Sequence, residues 1–190
     1  LAQSKIGISP FGKAVSFDIN DEADRKKFIH ESSIVISLLP PTLHTIVAKS
    51  CIELNKNLLT ASYIDPEIRD LQSEIENRNL LFLCEMGLDP GIDHMSAMKI
   101  FDKIHADGGR VISFRSHCGG LVAPESDDNP WHYKISWNPR NILLAGKSCA
   151  QYGVNREEKR LKYEELFTSE RIVEMTKIGY LSWYPNRDSL

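Results

Sequence analysis

At 190 residues, 42% hydrophobic and 26% charged, the chain has the makeup of one globular domain or parts of two. A net charge of −3 argues against nucleic acid or an anionic membrane as the main partner, and no apolar run approaches the ~20 residues that span a bilayer. Cys51, Cys84, Cys118 and Cys149 are scattered, with no C-x-x-C pair, and there is no N-x-[ST] sequon. Such thiol usage suits a reducing compartment, with the cytoplasm as the default and an organelle matrix as the alternative. The start at Leu1-Ala2-Gln3-Ser4-Lys5 has neither a signal peptide nor an initiator Met. With the abrupt stop at Leu190, it reads as a piece of a longer protein.

Strands and helices alternate through the first half. Ala14–Ile19 reads as a strand, and Asn20-Asp21-Glu22 starts a polar helix running to about His30. The β-branched run Ser33–Leu39 is a second strand, ended by Pro40-Pro41. Leu43–Leu54 has helical spacing, with Ile46, Val47, Cys51 and Leu54 on one side. Leu58–Ala61 is a third strand, Pro66–Ile75 a helix with Ile68, Leu71 and Ile75 inward, and Leu80–Cys84 a fourth strand. Short strands separated by helices imply a parallel sheet with crossovers on its faces.

The expected fold class is therefore α/β: a truncated, Rossmann-like, doubly wound sheet. After it comes part of an α+β substrate and dimerisation domain, with the boundary near residue 92 (1–91 and 92–190). A helix from Ile92 to about Ala106 turns Ile92, Met95, Met98, Phe101 and Ile104 inward and ends at Asp107-Gly108-Gly109. Val111–Arg115 and Tyr133–Trp137 read as strands, Ala123–Pro130 as a mobile substrate-facing loop, and Asn141–Tyr152 as a helix. Arg156–Glu165 is a charged surface stretch, and an aromatic run, Tyr180–Tyr184, leads into Pro185-Asn186-Arg187-Asp188-Ser189.

In a parallel sheet the strand C-termini share one edge, where ligands bind. Three turns converge there: Leu38-Leu39-Pro40, Thr60-Ala61-Ser62-Tyr63, and Gly87-Leu88-Asp89-Pro90-Gly91-Ile92-Asp93-His94. Ser62 and Tyr63 bring hydroxyls and Asp89 a carboxylate. The plainer reading makes Ser62 the cap of the helix near Pro66 and Tyr63 a surface aromatic. His117-Cys118 suggests an activated thiol, but neighbours on a strand point to opposite faces, and Cys118 before two glycines reads better as a small group on a site wall. His94, His105 and His117 lack metal-ligand spacing, so no metal is expected, and Asp93-His94 reads as helix-start chemistry. Arg187 could fork onto a carboxylate or pair with Asp188 at the surface.

Taken together, Val35-Ile36-Ser37-Leu38-Leu39-Pro40, Thr60-Ala61-Ser62-Tyr63-Ile64, Gly87–His94, Cys118-Gly119-Gly120, Ala123-Pro124-Glu125, Asp128-Asn129-Pro130, Tyr133-Lys134 and Tyr184–Ser189 strongly resemble the glutamate-forming saccharopine dehydrogenase family, including the matching domain of aminoadipate semialdehyde synthase. The resemblance covers nearly the whole chain from about Ala14. It implies NADP-dependent interconversion of saccharopine with aminoadipate semialdehyde and glutamate through an imine, and a homodimer. By the same resemblance Asp18 and Ile19 line the adenine side and Leu39 covers the cofactor. Ala61, Ser62, Leu88, Asp89, Pro90 and Asn138 add further cofactor contacts. Ser62, Tyr63, Asp89 and Arg187 would contact substrate, and Asp89, Tyr63 and Cys118 are the titratable groups for proton transfer.

There are departures. Pro41-Thr42 replaces the family's usual aromatic, His117 stands where tyrosine is common, and Tyr152–Ser169 matches poorly. The glycine-rich turn that holds the pyrophosphate does not occur within the chain, so on its own the chain is expected to bind NADP weakly and turn over little. The rival enzyme is a related imine reductase of the carboxynorspermidine type, and the non-enzyme rival an assembly domain of the same fold.

Overall fold

The computed structural model describes residues 2–134 and 149–185. Backbone contacts divide the chain into two compact units, Leu1–Phe114 and Arg115–Leu190.

The first unit is built on a parallel sheet. After a short helix α1 (Ala2–Ile6), α2 (Glu22–Glu31) begins at Asp21, whose carboxylate accepts from the Ala23 and Asp24 N–H groups and satisfies two otherwise orphaned donors. Strands β1 (Ile34–Ser37), β2 (Asn57–Thr60) and β3 (Phe82–Leu83) follow in the order β1-β2-β3. All pairs are parallel, with Ser37 beside Thr60 and Leu59 beside Leu83.

Helix α3 (His44–Glu53) crosses between β1 and β2 and supplies half of the buried core cluster, because nearly every turn presents a small or apolar residue to the sheet. Val47, Ala48 and Cys51 pack with Ile29, Leu58 and Ile68, and burying each large apolar side chain contributes roughly 1.5–3 kcal/mol. Burial also pushes the Cys51 thiol up to about 12 and raises Cys84, so neither is a ready nucleophile.

The expected helix over Pro66–Ile75 is two helices, α4 (Pro66–Asp70) and α5 (Gln72–Asn77), because Leu71 leaves helical ψ at −2°. Its inward face holds, with Ile68 and Ile75 buried. The cap before it is Asp65, which accepts the Glu67 N–H at 2.9 Å, with Pro66 pre-set in the first turn. Ser62 is thus not the cap.

The strand expected over Ala14–Ile19 forms no ladder. Its side chains pack nonetheless: the Phe17 and Phe28 rings lie 4.8 Å apart, and the Ile19 carbonyl accepts from the buried Arg25 at 2.7 Å. Alternation makes a segment fit for pairing, but a strand exists only where a partner backbone is met.

Helix α6 runs Ile92–Ala106, as the spacing predicts, yet it buries no residue. Ile92, Met95 and Met98 are 55%, 53% and 53% exposed, which corrects the inward face expected for them. Phe101 does find a partner: Phe114 meets it edge-on at 4.9 Å. Val111–Arg115 is irregular rather than a strand.

Among the described residues the second unit contains two hairpins. Strand β4 (Ala150–Val154) pairs antiparallel with β5 (Glu157–Leu161), turning at Asn155 and Arg156, whose φ angles of 54° and 70° suit a tight hairpin. This overturns the helix expected to reach Tyr152, since Ala150–Tyr152 lie in β4; residues 141–148 of that expectation fall outside the described residues. The charged stretch from Arg156 remains at the surface, but as a strand and then the short helix α7 (Tyr163–Leu166). Strands β6 (Ile172–Met175) and β7 (Gly179–Ser182) form the other hairpin. Of the strand expected over Tyr133–Trp137, Tyr133 and Lys134 are irregular and the rest falls outside the described residues.

Candidate functional site at the strand ends

The C-terminal ends of β1, β2 and β3 release three loops on one edge of the sheet, and hydrogen bonds stitch two of them together. Glu85 N–H donates to the Ser62 carbonyl and Met86 N–H to the Thr60 carbonyl, both at 3.0 Å. A Glu85 side-chain oxygen accepts the Ile64 N–H at 3.2 Å. Across the top of this seam the Tyr63 hydroxyl donates to Asp89 Oδ1 at 2.9 Å. Two residues 26 apart in sequence are thereby brought into direct contact. Tyr63 is half-buried and Asp89 exposed, so both are open to a ligand.

The turn carrying Asp89 is held by its own backbone. Gly87 N–H donates to the Pro90 carbonyl at 2.8 Å, and the Gly87 and Leu88 carbonyls accept from Ile92 and Asp93. The Asp89–Pro90 peptide is cis. Gly91 has φ +144°, and a Cβ there would sit 2.3 Å from the Gly87 oxygen, so only glycine fits. Burial pushes the Asp93 carboxyl up, but hydrogen bonds from His94 and the Gly91 N–H outweigh it and hold the group below the usual range. The pair serves the helix start, as the sequence suggests.

Below the loops lies a residue that sequence reasoning missed. His44, 2% exposed at the start of α3, places Nδ1 2.8 Å from Ser37 Oγ and Nε2 2.8 Å from Ser62 Oγ, with Thr60 Oγ1 at 3.2 Å. Burial depresses its basicity, against a weaker opposing pull from Asp65. The available signal was a polar residue at each buried strand end, Ser37 and Thr60, with a histidine opening the apolar helix between them.

An apolar groove of about 360 Å³ opens beside the end of β1, lined by Phe17, Ile19, Phe28, Leu38 and Leu39 among others. Its walls and size suit a flat heteroaromatic base. Asp18, just outside, is exposed and accepts from the Asn20 backbone and side-chain N–H groups. Of the other expected cofactor contacts, Ala61 is half-buried beside Ser62, Pro90 is buried in the turn and Leu88 is exposed at its tip. Cys118 belongs to the second unit and is exposed in an irregular segment. Asn138 and Arg187 lie outside the described residues. Among the described residues no group of three or more His, Cys, Asp or Glu side chains is placed to hold a metal, and no helix is long and apolar enough to cross a membrane.

The apolar groove, the hydroxyl-lined strand ends and the Tyr63–Asp89 pair lie at the carboxyl edge of a parallel sheet, where α/β folds bind ligands. Residues 10–83 match the saccharopine dehydrogenase NADP binding domain and residues 87–190 the saccharopine dehydrogenase C-terminal domain. The chain belongs to the saccharopine dehydrogenase family. Saccharopine dehydrogenase [NADP(+), L-glutamate-forming] of Saccharomyces cerevisiae is 40% identical over 190 residues, all of this chain and 43% of the relative. The alpha-aminoadipic semialdehyde synthase of Arabidopsis thaliana is 42% identical over 181 residues, 94% of this chain and 17% of that protein. The mitochondrial synthase of Mus musculus is 38% identical over 191 residues, 98% of this chain and 20% of it. In structure, the apo saccharopine dehydrogenase from S. cerevisiae matches with a TM-score of 0.81 at 40% identity, over 94% of this chain and 40% of that one. The chain thus spans less than half the length of these relatives.

Proposed function

We propose that this chain supplies the NADP-facing strand edge and part of the substrate domain of an oxidoreductase of lysine metabolism. The whole enzyme interconverts saccharopine with aminoadipate semialdehyde and glutamate through an imine. The observation that carries the reading is the Tyr63–Asp89 hydrogen bond at the sheet edge, inside a chain of this family. The functional division is kept near residue 92, supported by the limits of the two family matches.

The residues divide the work. Ile19 and Leu39 offer apolar walls to the base, while Ala61, Ser62, Leu88, Asp89 and Pro90 border the remainder of the cofactor, with Asp18 beside it and Asn138 a further contact. Bound NADP supplies the two-electron exchange with the carbon of the C–N bond. Asp89 accepts the Tyr63 proton's hydrogen bond and so keeps the phenol oxygen oriented over the crevice. From there the pair can take the proton of the substrate amine and return it to the departing nitrogen once water has added across the imine. Cys118 is the third titratable group of this reading. Ser62 contacts both ligands, and Arg187 grips a substrate carboxylate in bidentate fashion.

The natural protein carrying this chain tests the reading. Mixing it with saccharopine and NADP should raise absorbance in the reduced-nicotinamide band, and D89N should lower kcat roughly 10²-fold with Y63F falling less. NADPH binding without saccharopine-dependent reduction would move the substrate to another imine. The same reading takes the enzyme as a homodimer in the cytoplasm. Four cysteines without a disulfide support a reducing compartment, and sedimentation of the natural protein, with fractionation of its cells, checks both points.

A further inference from the structure

Two of the three ligand-facing loops begin where buried strands end on hydroxyl side chains, and one imidazole touches both ends. His44 meets Ser37 through Nδ1 and Ser62 and Thr60 through Nε2. Thr60 Oγ1 in turn accepts the Ser62 N–H at 3.2 Å. Ser37 is followed directly by Leu38-Leu39-Pro40, and Thr60 by Ala61-Ser62-Tyr63. The ring therefore braces the start of the cofactor-covering loop against the start of the loop that carries Ser62 and Tyr63.

A neutral imidazole has one N–H and one acceptor nitrogen. If Ser37 donates to Nδ1, then Nε2–H donates toward Ser62, and the Ser62 hydroxyl proton is left to face a ligand. If Nδ1–H donates to Ser37, Nε2 must accept, and Ser62 turns its lone pairs outward instead. Either way the ring fixes what Ser62 offers, and the two loops share one hydrogen-bond state.

We infer that His44 is a positioning residue of this enzyme: it acts through Ser62, holding that hydroxyl in the geometry that binds the nicotinamide cofactor, with Ser37 fixing which nitrogen carries the proton. This rests on the proposed placement of Ser62 at the cofactor. The brace transmits its effect by contact, so removing it should matter only while Ser62 is present to be held.

A double-mutant cycle on the natural protein decides the point, with the NADPH dissociation constant as readout and thermal melting as the folding check. H44A should weaken NADPH binding about three- to tenfold, the loss of one or two buried hydrogen bonds. In an S62A background the same substitution should change it by less than about 1.5-fold, and H44Q, which keeps a donor and an acceptor, should restore part of the loss. Should H44A fail to fold, S37A, which removes the partner of Nδ1, runs through the same cycle in its place. Equal losses in both backgrounds, or no loss in either, would make His44 a packing residue and overturn the inference. If saccharopine still reduces NADP in that case, the proposed function stands without it. If NADPH binds but saccharopine does not react, the cycle still judges His44 while the substrate reading fails. A protein that binds no NADPH overturns both.

Discussion

Helices α3 and α6 look alike as sequences, both amphipathic and both next to a strand, yet their fates differ. Helix α3 lies between two strands of its own unit and buries seven of its ten residues. Helix α6, half as long again, buries none, and its Met95 and Met98 face outward. Periodicity fixes which face of a helix is apolar, whereas the cover for that face is a property of what else is present. The site follows the buried helix: His44, at the first turn of α3, touches two strand ends. Helix α6 is anchored instead by its first turn, through Gly87, Gly91 and Asp93.

Substitutions can break or sharpen that contrast. The largest effect is expected under α3: Leu58→Ala, at a fully buried position facing the helix, should cost about 2–5 kcal/mol in denaturant unfolding. A cost below about 1 kcal/mol would mean the core is looser than the packing implies. Next comes Gly91→Ala, where φ +144° and a Cβ 2.3 Å from the Gly87 oxygen leave no relaxed solution. A loss of roughly 1–3 kcal/mol, together with weaker NADPH binding, would place the anchor of α6 in that turn.

His44 gives a pH signature. Burial lowers its folded pKa below the unfolded 6.5, so as pH falls the unfolded chain takes up the proton first. Stability is fully present above pH 6.5 and should decline as pH drops through the window below it, and H44Q should flatten that slope. A slope unchanged in H44Q would assign the acid sensitivity elsewhere. The smallest effect belongs to the exposed face: Met95→Lys and Met98→Lys should each stay within ~0.5 kcal/mol for the separated chain. A substantially larger loss would mean that this face is covered in solution.

The placement of much of the candidate site was legible in sequence because strand-end loops are local features. Gly87–His94 announced its turn and the start of α6, and Ser62, Tyr63 and Asp89 fell at strand C-termini where parallel topology gathers them. The Tyr63–Asp89 bond itself was not legible, since it depends on the distance between loops rather than on either loop. His44 was hidden for a related reason: within Leu43–Leu54 it reads as one more helical position, and only the pairing of Ser37 with Thr60 puts two hydroxyl ends beside it. The β4–β5 hairpin was missed because Asn155-Arg156 lacks the usual glycine, leaving the charge pattern to dominate. Resemblance carried Arg187, Asn138 and the substrate, none of which local spacing could assign.

Hydrogen–deuterium exchange on the natural protein, with and without NADP, tests the central claim that the ends of β1, β2 and β3 form one cofactor edge. The account predicts slowed exchange together at residues 37–40, 60–64 and 85–91, with no matching protection along Met95–Ala106 of α6. Protection confined to α6, or absent from two of the three loops, would contradict it.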